Sequence, residues 1–420
     1  MTDAVNSNPR VFRFDRDRLS RIADWFAVAV LASLPWSTSA TGILVVIWLF
    51  ALIPTLDWAD LRRELATPAG GLPVLLFLLF ALGMMWADVT LGERLKGVAP
   101  YSKLLVIPFL LVQFRRSDRG LCVFGGYLVS CAVLLLASTL VQFVPAFSFI
   151  PMQWDGVLVK NGATQSGEFV SCIFVLLFLA VEFLERRKWL WLFGSLVVVL
   201  GMLANIIFVA TGRTALAIIP VLFVVFVTKK IQAKGIFILL AGAILIGVIG
   251  WLSSQYLRDR TIAVWTEIQN YKAMNERNSS GERLEFWKKS LTLVREAPII
   301  GNGTGSMPSL FRKAAAGQTG AAGTVTTNPH NQTFAVAVQL GLLGAAVLWA
   351  MWIAHLLMFR GNGLAEWIGL VVVVQNIVGS LFNSHLLDFV QGWAYVVGVG
   401  VAGGIVLRKR SAETPAGSAP

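Results

Sequence analysis

The chain has 420 residues, 56% of them hydrophobic and 14% charged, with a mean hydropathy of +0.71. That balance excludes a water-soluble globular domain. A porin-type barrel is excluded too, because the apolar stretches are continuous and lack the alternation of barrel strands. The formal charge of +12 would suit nucleic acid in a soluble protein, but here it reads as Lys and Arg at cytoplasmic helix ends. Membrane lipids, and no nucleic acid, are therefore the expected partners.

Apolar runs fall at residues 22–36, 41–56, 72–86, 101–114, 121–143, 169–184, 189–210, 214–228, 235–253, 333–359, 364–382 and 386–407. They predict an all-α, polytopic transmembrane bundle of about twelve spans. Residues 1–254 hold the first nine, 255–332 a large hydrophilic loop, 333–407 the last three, and 408–420 a tail. The first run follows a basic tail and precedes small residues at 37–40, the pattern of a signal peptide whose cleavage would remove one span.

Basic residues sort onto two sides. Arg10, Arg13, Arg16, Arg18 and Arg21 open one side, followed by Arg62 and Arg63; Arg115, Arg116 and Arg119; Arg186, Arg187 and Lys188; Lys229, Lys230 and Lys234; Arg360; and Arg408, Lys409 and Arg410. Short loops of the other side carry Arg94, Lys96, Lys160 and Arg213, and Lys103 sits near an outer helix end. The asymmetry predicts both termini in the cytoplasm and the 255–332 loop outside. Cys122, Cys131 and Cys172 all lie in apolar runs and are expected as small core residues.

Within the large loop, Ser279 and Glu282 have capping-box spacing, which predicts a helix running to about Ala297, before Pro298. Leu284, Trp287, Leu291 and Val294 would form its apolar stripe. Gly301-Asn302-Gly303-Thr304-Gly305 and the stretch 314–327 read as loop. The glycine run lacks the preceding strand of a nucleotide fingerprint.

Asn328-Pro329-His330-Asn331 carries the strongest chemical signal. Asn328 as cap and Pro329 at the first position would set His330 in the first turn of a span, at the outer boundary. A helix N-terminus favours neutral imidazole, which accepts protons, and its free N–H groups attract phosphate. Gly341 follows three turns later on the same face, with Gly344 beside it, so that another helix could approach closely. Arg213 interrupts two apolar runs at the same boundary, and Arg283 stands one turn before Trp287, where guanidinium and indole can meet. Plainer readings are an interfacial histidine satisfied by water, a snorkelling Arg213 and a solvated Arg283. His355 and His385 give less reason for chemistry. No His, Cys, Asp or Glu group has metal-ligand spacing, so neither a metal nor another cofactor is expected.

His330-Asn331, nine residues, then Gly341-Leu342-Leu343-Gly344 resembles the signature of O-antigen ligases: His, then Asn, Ser or Gln, nine residues, Gly, two residues, and Gly, Thr or Tyr. The wider O-antigen ligase and polymerase superfamily is resembled also in Thr211-Gly212-Arg213, in residues 281–287 and in residues 298–303. The resemblance implies a GT-C-like bundle in the bacterial inner membrane, with the 255–332 loop in the periplasm. It implies transfer of polysaccharide from an undecaprenyl-pyrophosphate-linked O-antigen donor to a sugar hydroxyl of a lipid A-core acceptor, completing lipopolysaccharide. His330 would be the general base, Arg213 and Arg283 would hold the pyrophosphate, and Asn331, Gly341 and Gly344 would support the motif. The rivals are a polymerase or a protein O-oligosaccharyltransferase, which differ only in acceptor, and a transporter of lipid-linked sugar, which fits the spans but gives His330 no task.

Overall fold

The computed structural model describes residues 15–144, 156–158, 160–230 and 233–413, all helix, turn and loop with no strand among them. Arg10, Arg13 and the side chain of Lys234 lie outside the described set. The helices of the first half are α1 (Arg16–Ser33), α2 (Thr38–Leu52), α3 (Trp58–Leu65), α4 (Pro68–Gly83), α5 (Leu91–Val98), α6 (Val106–Arg116), α7 (Gly120–Phe143), α8 (Gly162–Glu185) and α9 (Trp189–Phe208). After them come α10 (Arg213–Lys230), α11 (Ala233–Ser253), α12 (Gln255–Met274), α13 (Ser279–Glu296), α14 (Met307–Ala315), α15 (Gln332–Met358), α16 (Leu364–Gly379) and α17 (Phe389–Glu413).

Among the described residues seven helical segments are long and apolar enough to cross a membrane, or eight if α3 and α4, bent by 81°, form one span. Shorter apolar helices lie at Ile244–Ser253 and Leu364–Gly379. The protein is thus a polytopic helical bundle. Helices α1 and α10, each eighteen residues long, carry five and three charged side chains, which separates them from those segments.

Packing is close where side chains are small. On α17, a Cβ at Gly400 would meet Leu110 of α6 at 2.5 Å, and one at Gly404 would meet Phe114 at 2.7 Å. This glycine face lets the two helices approach to backbone contact. Trp48 donates its indole N–H to Gln113 at 2.9 Å, and Gln113 donates to Asp24 at 3.0 Å, so polar groups in the first bundle satisfy one another. Cys131 and Cys172 are buried as expected, whereas Cys122 is exposed on α7.

The basic loops assigned to one side gather at one end of the bundle. There Arg115 meets Glu64, Arg116 meets Asp60, Lys230 meets Glu182, and Lys229 donates to the carbonyl of Arg360 at 2.6 Å. At the opposite end α12, α13 and α14 stand over a small core formed by Phe286, Leu293, Met307, Phe311, Ala335 and Val338.

This outer layer holds more order than its sequence suggests. Helix α12 and most of helix α14 lie in stretches for which no element was predicted, and residues 320–323, within the stretch read as loop, form a 3-10 turn. Helix α13 is capped by Asn278, whose side chain accepts from Gly281 N–H, and not by Ser279. Its buried face is Phe286, Lys289, Ser290 and Leu293, while Leu291 of the expected stripe is exposed. The face follows the small core, on which Phe286 and Leu293 pack, and Glu282 accepts from Arg277 and Thr324 instead of closing a capping box.

Candidate active site

The glycine run is a structural splice. Helix α15 breaks at Gly341, where φ is 65° and ψ is −163°, and residues 298–303 lie along the break. Asn302 N–H donates to Val338 C=O at 3.0 Å and Gly303 N–H to Gln339 C=O at 2.9 Å. Beyond the break, Leu342 N–H donates to Pro298 C=O at 2.8 Å and Leu343 N–H to Ile299 C=O at 3.2 Å. The loop thus takes up groups that the broken helix leaves unpaired. The neighbour admitted by Gly341 is this loop backbone and not another helix: a Cβ there would stand 2.2 Å from Ile299 O. Gly344 leaves room for the Leu340 and Val336 side chains folded back over the break.

The same break aims the start of α15. Asn331 is its N-cap, accepting from Phe334 N–H at 3.1 Å, so His330 precedes the helix instead of lying in its first turn. Asn328, expected as cap, accepts the His330 backbone N–H at 2.9 Å and holds the turn. His330 has φ 54°, a left-handed conformation uncommon outside glycine and asparagine. Such strain is characteristic of positions fixed by their surroundings. Helix α13 supplies those surroundings: Phe286 stacks on the imidazole with centroids 6.3 Å apart, and Trp287 donates to the Pro329 carbonyl at 3.1 Å. Trp287 serves the His330 turn, in place of the expected contact with Arg283.

His330 Nδ1 lies 2.9 Å from Asn383 Oδ1. Asn383 donates its amide nitrogen to the Asp388 carboxylate, and Asn328 Nδ2 donates to the same Asn383 oxygen at 3.3 Å. With the amide so oriented, Nδ1 carries the proton and Nε2 is the accepting nitrogen. Lys103, buried, donates to the Asp388 carbonyl at 2.9 Å and ties this chain to the first bundle. Burial and then the charge of Arg283 lower the His330 pKa from its ordinary value, against the Asn383 bond, which raises it. The ring is therefore held neutral near pH 7.

Arg213 starts α10 after a tight turn. Thr211 Oγ1 donates back to Ile206 C=O at 2.7 Å, and Gly212 sits where a Cβ would meet Ser166 Oγ at 2.3 Å. The guanidinium grips Glu267 of α12 through both terminal nitrogens, at 3.1 and 2.7 Å, and its Nε is buried with no hydrogen bond among the described residues. Burial raises the Glu267 pKa, but hydrogen bonds from Arg213 and Ser280 outweigh it and leave the carboxyl below its ordinary value.

Arg283 is half-buried on α13 and makes no hydrogen bond or ion pair among the described residues. Burial, and then the charge of Arg213, lower its pKa, with Glu267 acting the other way. Arg213 is thus near enough to Arg283 to repel it, and Arg283 near enough to His330 to depress its pKa. The fold brings together three side chains that stand 117 positions apart along the chain. Glu267, Asn383 and Asp388 complete the cluster and were missed. The run Asn383-Ser384-His385 at an outer helix end was the one signal for Asn383, whereas Glu267 sits in a charged helix without distinguishing pattern.

The protein is thus a polytopic helical bundle with a histidine and two arginines clustered at one end. Residues 201–349, the stretch that holds Arg213, Arg283 and His330, match the family model described as O-antigen ligase. A Haemophilus influenzae protein described as uncharacterized is 27% identical over 170 residues, which are 40% of this chain. The matched region spans 43% of that relative's length.

Proposed function

We propose that the protein is an O-antigen ligase of the bacterial inner membrane, with its site in the periplasm and both termini in the cytoplasm. It transfers polysaccharide from undecaprenyl pyrophosphate to a sugar hydroxyl of lipid A-core. The observation that carries this reading is Arg283, a half-buried cation that makes no hydrogen bond or ion pair among the described residues, feels the charge of Arg213 and acts on His330.

In the proposed step the acceptor oxygen attacks the anomeric carbon while His330 Nε2 takes its proton. The bond from that carbon to pyrophosphate breaks, and the electron pair leaves with the phosphate oxygen. Arg213 and Arg283 stabilise the negative charge that grows there, which lowers the barrier more than it favours the bound substrate. Pyrophosphate is a good leaving group and two guanidinium groups answer its charge, so the proposed reaction is independent of metal. One displacement with acceptor and leaving group on opposite faces inverts the anomeric configuration.

The test is transfer by purified protein given polyprenyl-pyrophosphate-linked glycan and lipid A-core in EDTA, beside His330→Ala. Extension of the acceptor by wild type and its loss in the variant support the reading. Equal activity in both removes His330 from the mechanism, and product of retained configuration by NMR defeats the single displacement. A wild type that joins donor units to one another and leaves lipid A-core untouched is a polymerase.

A further inference from the structure

A crevice opens beside the turn that carries His330, with Asn328 of that turn in its wall. It has a volume of about 360 Å3, within the range of small-molecule sites, and runs between α5 and the turn that leads into α14. Its walls include Glu93, Lys96, Pro308, Thr327, Asn328 and Leu387, and neither Arg213, Glu267 nor Arg283 lines it. Asn328 joins it to the candidate base, since that side chain accepts the His330 N–H and donates to the Asn383 oxygen facing the imidazole.

We infer that this crevice binds the saccharide of the acceptor, an assignment that rests on the transferase reading above. A single displacement requires the attacking hydroxyl and the departing pyrophosphate on opposite sides of one carbon. With the phosphate on Arg213 and Arg283, the acceptor needs its own wall, and this crevice supplies one at the His330 turn. Its chemistry suits a sugar ring. Pro308 and Leu387 offer apolar surface to ring C–H groups, while Thr327 and Asn328 offer donors and acceptors to hydroxyls. Lys96 makes no hydrogen bond or ion pair among the described residues, and with Glu93 in the same wall it gives the crevice one charged side chain of each sign to meet a sugar's polar groups. On the outer side of the same helix Leu91 and Leu95, one turn apart, are 64% and 52% exposed, an apolar edge fit to rest on lipid and receive a lipid-anchored acceptor. The crevice joins α5, which lies outside the 201–349 match, to Pro308, Thr327 and Asn328, which lie within it.

The experiment uses the full-length protein in nanodiscs, with lipid A-core titrated at saturating donor. Thr327→Trp fills the crevice from an exposed position, and Lys96→Ala removes the positive charge from its wall. The expected result is an acceptor KM raised about tenfold by the first and several-fold by the second, with donor KM unchanged. Delipidated core oligosaccharide should bind His330→Ala directly and lose that binding when Thr327→Trp is added. Active variants with wild-type acceptor KM overturn the crevice assignment and leave the transferase reading standing, and so does a rise in donor KM alone. Absence of transfer by wild type overturns both.

Discussion

Asn383 faces two ways, its oxygen 2.9 Å from His330 Nδ1 and its nitrogen toward the Asp388 carboxylate. A side chain held at both ends in this manner fixes the imidazole tautomer and its plane, as the partners of metal-bound or catalytic histidines do.

Asn383→Ala should cut kcat by about 10–100-fold with little change in donor KM. Because the Asn383 bond raises the His330 pKa, the acid limb of the variant's kcat profile should also move to lower pH. A variant with wild-type kcat would show that the ring needs no such partner.

A general base works only when neutral, so transfer should fall as pH drops through the His330 pKa, which lies below the ordinary 6.5. Burial and Arg283 both press it down, and removing that charge relaxes it. In Arg283→Gln the acid limb should therefore shift upward toward 6.5, along with a weaker donor KM. A pH–rate series on both proteins checks the sign, and a limb that stays in place separates Arg283 from His330.

Glu267 competes with phosphate for Arg213. Glu267→Gln removes a negative charge beside both arginines and should tighten inhibition by inorganic pyrophosphate by about fivefold, near 1 kcal/mol. It should also lower the unfolding temperature, since Arg213 and Ser280 lose a charged acceptor. Inhibition that is unchanged or weakened would place the pyrophosphate elsewhere.

Gly341→Ala should be severe. Its dihedral angles belong to a region open essentially to glycine alone, and the added carbon would strike Ile299 O. A loss of about 3 kcal/mol or more is expected, read as a lower unfolding temperature and loss of transfer. Gly344→Ala would also meet the Leu340 Cβ, at 2.4 Å, but without a positive φ to strain it should cost less. Equal stability of the two variants would contradict the splice.

The apolar runs revealed the helices and the charge pattern revealed which ends lie together, because both follow from lipid as solvent. Arg213, Arg283 and His330 were legible as polar interruptions at one boundary. What escaped were relations between distant segments. Nothing near Gly341 announces that residues 298–303 complete its hydrogen bonds, and local spacing assigned Gly341 an ordinary helical face. Asn328 and Ser279 have good capping chemistry, but Asn331 and Asn278 lie beside them with chemistry as good, and tertiary contacts of His330 and Glu282 chose between them.

The splice also sets an order of assembly. A chain entering the membrane presents residues 298–303 before the segment that they complete, and the carbonyls of Val338 and Gln339 meet their partners only once both are across. Until then the start of α15 carries unpaired backbone groups that lipid cannot satisfy. Insertion of that helix and folding of the layer made by α12, α13 and α14 are therefore one event, and a nascent chain stalled before residue 343 holds its loop in waiting.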